Sequence, residues 1–557
     1  MLSFFRRRFL LAAFVALTCC PLEWNAMSPL IALAQAPSGV KPLAPEPSNT
    51  TAASSQHVAQ AASVPEVVAP ASGVEAISAM AMVASIEATT VAAIERAERS
   101  VVAISRVRRG QTPAVRADQL AGPDQLAGLG QFPFSDSPES ADYVPSEFAS
   151  GVIISDDGMI VTCAHALDDP RNYDYYVWLD KRVYSGAVVG KSATVMASDP
   201  YTDLGVLKID VTGLTPITFG DASLLRKGSF VISLGNPYAT ARDGQASASW
   251  GIVSNLRRTP PPRQSTENSL LAKESQDQFG TLIQTDARLN FGTSGGALIN
   301  LRGEMVGLTS SLAALGGFEQ SAGYAIAVDS MFSRVVDALR QGQQPEFGFL
   351  GIQPEELRPA ERLAGLSGAR VSLVIPGLPG DQAGLRNDDC IIGINSQVIR
   401  DRSGLFRELS QLPAGAEVEL AIQRPRRGDA GFTQLHLKAT LSKKFISTSR
   451  PAYAIHSAKP WRGMLVEYTT AIPGELMRGD ILTHRRAGAQ LAVLSVDPDS
   501  PAWRAGLRAG HSVLSINGRR VATPDDFYTQ ANLLQETVQL QVYRGSERLE
   551  AVGVPAS

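Results

Sequence analysis

Apolar residues along this chain come mostly in short runs separated by polar breaks. VVAISRV (101–107) is rich in β-branched residues and predicts a strand. From SGVIIS (150–155) onwards, short apolar runs alternate with turn signals at Asp156-Asp157-Gly158, Lys191-Ser192, Gly235-Asn236-Pro237 and Arg302-Gly303. Strands at that spacing predict β-barrels or a sandwich. Residues 75–99 depart from the pattern: they are Ala-rich, helical in spacing and end IERAER. Two polar stretches read as long surface loops, 108–148 with DQLAG twice and 256–280 with TPPPRQSTENS.

After about residue 342 the pattern repeats. AGL occurs at 383–385 and 505–507, and Ile-Asn at 394–395 and 516–517, both 122 residues apart. Around them, PGLPGDQAGLRNDDCIIGIN and DPDSPAWRAGLRAGHSVLSIN share one frame. Each has a Pro/Gly-rich turn, a short helix ending at Gly-Leu, and an apolar strand entering an Asn turn. Two copies of one small domain are the simplest explanation.

At 557 residues the chain is too long for one ordinary core, so three or so domains are expected. The net charge of −3 shows no basic excess and argues against a nucleic-acid partner. The N-terminus has Arg6, Arg7 and Arg8 followed by an apolar run, Phe9 to Cys20. The run is shorter than the ~20 residues a spanning helix needs, so residues 1–36 read as an export signal with a small-residue cleavage site at Ala32-Leu33-Ala34. RRRFL fits a twin-arginine signal loosely, and an uncleaved membrane anchor is the other reading of the same segment. Residues 37–74 read as a disordered linker rich in Ala, Pro, Ser, Thr and Val. With the signal removed, only Cys163 and Cys390 remain, so neither a disulfide framework nor a metal pattern is expected.

NFGTSGGALIN (290–300) places Ser294 in a Gly-rich loop. A serine hydroxyl is a weak nucleophile at neutral pH and needs a base, itself oriented by a third group. His165 in IVTCAHAL is the one histidine between residues 100 and 340. In SDPYTDLGVLKID (198–210), Asp203 directly precedes an apolar strand and can point inward from its edge, whereas Asp199 and Asp210 suit a turn and a strand end. The order His165, Asp203, Ser294 is that of chymotrypsin-like proteases.

VTCAHAL, TDLGVLKI, LGNP (234–237), GIVS (251–254) and IQTDARLNFGTSGGALIN, in this order, resemble the HtrA (Deg) family of trypsin-like serine proteases. The resemblance covers roughly residues 90–557. It implies a mainly β protein: a chymotrypsin-like double β-barrel over 75–340, a PDZ domain over 343–445 and a second over 456–557. It implies a catalytic triad of His165, Asp203 and Ser294, with the backbone N–H groups of Gly292, Thr293 and Ser294 as oxyanion hole. Arg288, six residues before the serine, and Leu289 would shape the substrate pocket: the favoured reading has Leu289 as the wall of an apolar pocket and Arg288 turned to solvent, and the other has Arg288 pointing inward to favour acidic P1 side chains. GFLGI (348–352) resembles a PDZ carboxylate-binding loop, lined by Phe349, Leu350, Gly351 and Ile352, whereas WRGMLVEY (461–468) lacks the usual loop. Thr293 stands where the family usually has Asn, Phe291 where Pro or a small residue is common, and Cys163-Ala164 where it usually has an Asn pair. The expected protein is an exported, periplasmic, ATP-independent endopeptidase for unfolded or damaged proteins. It needs no metal or cofactor, binds substrate C-termini through PDZ domains and assembles as a homo-trimer or higher oligomer. The competing functions are a non-proteolytic PDZ chaperone or scaffold, and a regulatory protease with one signalling substrate.

Overall fold

Valines 101 and 102 begin a strand whose successive side chains enter different cores, as the two-residue period of a strand requires. Val101 joins a cluster lying between two barrels, while Val102 and Ile104 fill the interior of the first. The computed structural model describes residues 79–110, 147–180, 191–236, 245–258, 281–290, 292–310, 323–426, 431–448, 450–456, 458–473, 476, 488–544 and 548–556. The expected export signal (1–36), the linker (37–74), most of both long loops and Phe291 lie outside the described residues. Among the described residues, no helix is long and apolar enough to cross a membrane.

Helix α1 (Ala79–Ala97) leads into the first barrel. Its strands are β1 (Val101–Arg108), β2 (Phe148–Ile153), β3 (Met159–Cys163), β4 (Tyr173–Trp178), β5 (Lys191–Asp199) and β6 (Leu204–Ile209). They run in the order β5-β4-β1-β2-β3-β6, closed by pairing of β5 with β6. Lys191-Ser192, expected as a turn, instead opens β5, paired with Val177 and Tyr176. The second closed barrel holds β7 (Phe230–Gly235), β8 (Ser247–Arg258), β9 (Leu282–Thr285), β10 (Ala297–Ile299), β11 (Met305–Ser310) and β12 (Gly323–Ala327). A one-turn helix α2 (Ala164–Leu167) follows β3. Helix α3 (Ser330–Arg340) closes this part: the Asp329 carboxylate caps it by accepting from the Phe332 N–H, and its apolar stripe of Met331, Phe332, Val335, Val336 and Leu339 is buried.

The repeat predicted from AGL and Ile-Asn is two sheets of one topology. The first comprises β14 (Ile352–Glu355), β15 (Ala369–Val374), β16 (Cys390–Ile394), β18 (Glu417–Pro425) and β19 (Phe432–Thr440), with β17 (Gln397–Val398) on β16. A small ribbon pairs β13 (Gly348–Phe349) with β20 (Ser442–Lys443). The second sheet comprises β22 (Met464–Tyr468), β23 (Leu491–Val496), β24 (Ser512–Ile516), β26 (Val538–Tyr543) and β27 (Leu549–Val554), with β25 (Arg519–Arg520) on β24. Helices α4 (Pro359–Leu363), α5 (Pro379–Gln382) and α6 (Arg402–Ser410) belong to the first repeat, and α7 (Pro501–Arg504) and α8 (Pro524–Asn532) to the second. Side-chain caps begin α6 at Asp401 and α8 at Thr523, again 122 residues apart.

The segment between the repeats is more than a tether. Tyr453–Ala454 forms β21, an added strand on β5 of the first barrel, with Tyr453 opposite Ser198 and Ala454 opposite Ala197. The His456 N–H donates to the Gly342 carbonyl at 2.9 Å, and the Gln344 amide donates to the Tyr453 carbonyl at 2.6 Å.

Candidate active site

The three candidate side chains meet where the barrels face one another. His165 lies in α2, directly after β3, and the Ala164 N–H is held by the Asp203 carbonyl at 2.9 Å. Asp203 sits at φ 60 in the left-handed region immediately before β6. A non-glycine residue there is strained, and such strain persists where the surroundings fix it. Here the carboxylate is fixed twice: Oδ1 accepts from the His165 N–H at 2.8 Å and Oδ2 faces His165 Nδ1 at 2.7 Å. The carboxylate can only accept, so Nδ1 carries the proton and Nε2 presents its lone pair. Nε2 lies 3.1 Å from Ser294 Oγ, on the loop before β10. Burial alone would raise the Asp203 pKa; the charge and hydrogen bonds of His165 more than offset it, with Arg450 adding, and hold it below 3.8. Arg450 comes from the segment between the repeats and lies 3.7 Å from Asp168, which follows α2.

The nucleophile loop is braced from behind. Gly292 and Gly295 lie at φ 92 and φ 84. A side chain at 295 would fall on Thr162 Oγ1 and the Ser150 carbonyl, so glycine is required there by both conformation and space. The buried Ser150 hydroxyl donates to the Gly292 carbonyl at 2.6 Å and accepts from the Asn236 N–H at 2.8 Å. The Ser150 N–H donates to the Ser294 carbonyl at 2.8 Å. Of the three expected oxyanion donors, the Thr293 N–H is occupied in a turn, donating to the Asn290 carbonyl at 3.1 Å, and the Thr293 hydroxyl donates to the same carbonyl at 2.7 Å. Arg288 is exposed, its N–H held by Ser249 Oγ at 2.9 Å, while Leu289 is buried against Gly323.

Asp199, which sequence reading gave to a turn, is buried there, its carboxylate accepting from the Thr202 hydroxyl at 2.7 Å and from the N–H groups of Tyr201 and Thr202. Burial pushes its pKa from 3.8 to about 6, these hydrogen bonds notwithstanding. Cys163, His165 and Asp203 place donor atoms within 4.8 Å of one another, the one such group among the described residues. Burial and the nearby Asp203 charge raise the Cys163 thiol well above 9.0, and it donates to the Thr309 carbonyl at 3.4 Å. A thiol so held is a poor metal ligand, since metals bind the thiolate. The arrangement therefore suits serine chemistry better than metal chemistry.

In the first repeat a groove runs between β14 and α6, lined by Phe349, Ile352, Pro354, Phe406 and Leu409. Leu350 is buried in the domain core, so of the loop residues Phe349 and Ile352 reach the groove. In the second repeat the loop backbone is retained, contrary to expectation. Gly351 and Gly463 have φ 75 and φ 83. Their carbonyls accept from Ile375 and Asp497, and the preceding Leu350 and Arg462 carbonyls accept from Gly380 and Ala502. What differs is the filling. Arg462 donates to the carbonyls of Val554, Leu534 and Glu536, and the Tyr528 hydroxyl of α8 accepts from the Val466 N–H of β22 at 2.9 Å.

Comparison with known proteins agrees with the order of domains. A trypsin-like peptidase domain matches residues 149–308, and a PDZ domain matches twice, at 370–424 and 493–544. A probable periplasmic serine endoprotease DegP-like of Chlamydia trachomatis is 31% identical over 401 residues, covering 71% of this chain and 72% of that protein. The corresponding protein of Rhizobium meliloti is 30% identical over 388 residues, covering 69% of each. Among solved structures, the HtrA-type protease AlgW with tripeptide aligns at 24% identity and a TM-score of 0.44, covering 64% of this chain and 97% of that one. The periplasmic names of the relatives support export of this chain to the periplasm. From the double barrel, the two PDZ domains and the extent of these matches, the chain belongs to the HtrA family of DegP-like, trypsin-type serine endoproteases.

Proposed function

We propose that this enzyme cleaves unfolded or damaged proteins in the periplasm without ATP, using His165, Asp203 and Ser294, and that its first PDZ domain binds substrate C-termini. The hydrogen-bonded chain from Asp203 through His165 to Ser294 carries the reading. His165 Nε2 takes the Ser294 proton as Oγ attacks the scissile carbonyl, and returns it to the leaving amine. Asp203 keeps Nδ1 protonated and stabilises the imidazolium. The Gly292 and Ser294 N–H groups receive the oxyanion, joined by Thr293 when its N–H leaves the Asn290 carbonyl. Each such donor contributes about 3 kcal/mol to the transition state.

The buried Leu289 beside an exposed Arg288 supports an apolar P1 residue. The exposed Met80, Met82, Val83, Ile86 and Val91 of α1 support self-association as a homo-trimer or larger assembly through the N-terminal part. Unfolded casein is the substrate to use: the wild type should cleave it and spare a stable folded protein. Ser294→Ala should abolish cleavage, and casein loss that persists in that variant would exclude the triad.

A further inference from the structure

We infer that the carboxylate end of the first PDZ groove is a composite site, completed by Lys444 from beyond the domain's sheet and by Tyr201 from the protease barrel, and that its ligand is a protein C-terminus with a free carboxylate and an apolar last residue. The inference rests on the reading of this groove as a C-terminus binder. The groove has a volume of ≈ 570 Å³, and Tyr201, Phe347 and Lys444 line it together with the PDZ residues. Lys444 is fixed beside the loop. It follows β20, which pairs with β13, and its N–H donates to the Phe347 carbonyl at 2.7 Å. Its ammonium donates to the Tyr201 hydroxyl at 3.2 Å and lies 4.9 Å from the centre of the Tyr201 ring and 5.8 Å from that of Phe406. Tyr201 is itself immobilised: it is buried, packs edge-on against Phe347 at 4.9 Å between ring centres, and belongs to the turn that Asp199 holds.

The edge strand makes the charged end decisive. Pro354 occupies the edge strand at the place matching Val466 of the second repeat, counted from Gly351 and Gly463. The Val466 N–H faces its groove, where it meets Tyr528; proline has no N–H to offer an incoming strand. The first groove therefore gives an added strand one ladder bond fewer, and relies more on charge-assisted bonds to the carboxylate. Three other charged groups line the groove: Arg402, whose guanidinium lies 5.1 Å from the centre of the Phe406 ring, and Glu355 and Glu356, whose carboxylates are bonded to Arg370 and Arg362.

The test uses the full-length chain carrying Ser294→Ala and a fluorescein-labelled decapeptide ending in valine, as free acid and as amide, read by anisotropy. The free acid should bind about tenfold more tightly than the amide, the size of one charge-assisted hydrogen bond. Lys444→Met should bring the two to within twofold by weakening the free acid, and Lys444→Arg should restore the preference. Tyr201→Phe should weaken the free acid about threefold. A decapeptide ending in aspartate should bind at least tenfold more weakly than the valine peptide. A thermal melt identifies any variant that fails to fold, and Lys444→Gln is then the replacement. A Lys444→Met or Lys444→Gln protein that keeps the wild-type acid-to-amide ratio overturns the composite site and leaves the groove reading standing. A wild type that does not distinguish acid from amide overturns the groove reading, and the composite site with it.

Discussion

Replacing Ser150 with alanine removes one buried oxygen and leaves two backbone groups without their partner, the Gly292 carbonyl and the Asn236 N–H. An unsatisfied buried polar group costs about 1–3 kcal/mol, so the direct penalty is about 2–6 kcal/mol. The loop can relieve part of it by turning the Gly292 peptide, since glycine permits the rotation. The Thr293 N–H belongs to that same peptide, so the rotation redirects the donor that the proposed mechanism brings from the Asn290 carbonyl to the oxyanion, and one donor is worth about 3 kcal/mol, or roughly 10²-fold in rate. Binding of substrate residues beyond the scissile bond does not use this donor. Ser150→Ala should therefore lower kcat on a chromogenic peptide about 10²-fold while KM stays within about threefold, and slow fluorophosphonate labelling in proportion. A melt should show a folded protein of reduced stability, because the barrel strands and the Ser150 N–H bond to the Ser294 carbonyl are untouched. A folded Ser150→Ala enzyme with kcat within twofold of wild type would show that Ser150 braces the fold without aiming the loop.

Asp203→Asn should lower kcat/KM about 10⁴-fold in peptide hydrolysis, because the amide can donate to Nδ1 and leave Nε2 protonated; a loss under tenfold would remove Asp203 from the triad. Asp199 has its folded pKa raised from 3.8 to about 6, so it binds its proton more tightly when folded and its linkage contribution grows as pH falls. Between pH 7 and pH 5 the wild type should gain about 1.3 kcal/mol relative to Asp199→Asn in denaturant unfolding, and parallel pH profiles would contradict this. Tyr528 occupies the second groove, so calorimetry should find one C-terminal peptide bound per protomer, rising towards two in Tyr528→Ala; two sites in the wild type would be incompatible with a filled groove.

The parts of the candidate site that were legible in sequence are those where the chemistry narrows the choice to one residue. His165 stood out because its span holds no other histidine, and Asp203 because it abuts an apolar strand. The two PDZ domains were legible because AGL and Ile-Asn recur at one offset, and the structure carries that offset to the caps Asp401 and Thr523. Ser150 was not legible, because a serine opening an apolar run looks like any strand residue; its role comes from a loop 142 positions away. Arg450 and Lys444 were equally hidden, since nothing local marks the segment between the repeats as returning to the barrel. The second loop, WRGM, misled through its side chains: its backbone matches the first, and Arg462 replaces an aliphatic residue by reaching carbonyls of its own domain. The turn expected at Lys191-Ser192 failed because tertiary pairing with β4 overrode local turn preference.

The proposed mechanism places one activated serine in the whole chain, its activation dependent on His165. Labelling the full-length enzyme with a fluorophosphonate and mapping the adduct by mass spectrometry examines both statements at once. The adduct should fall on Ser294 alone, and in His165→Ala the labelling rate at Ser294 should drop by at least 10³-fold while the protein stays folded. An adduct on another serine, or a Ser294 labelled as fast without His165 as with it, would contradict the mechanism.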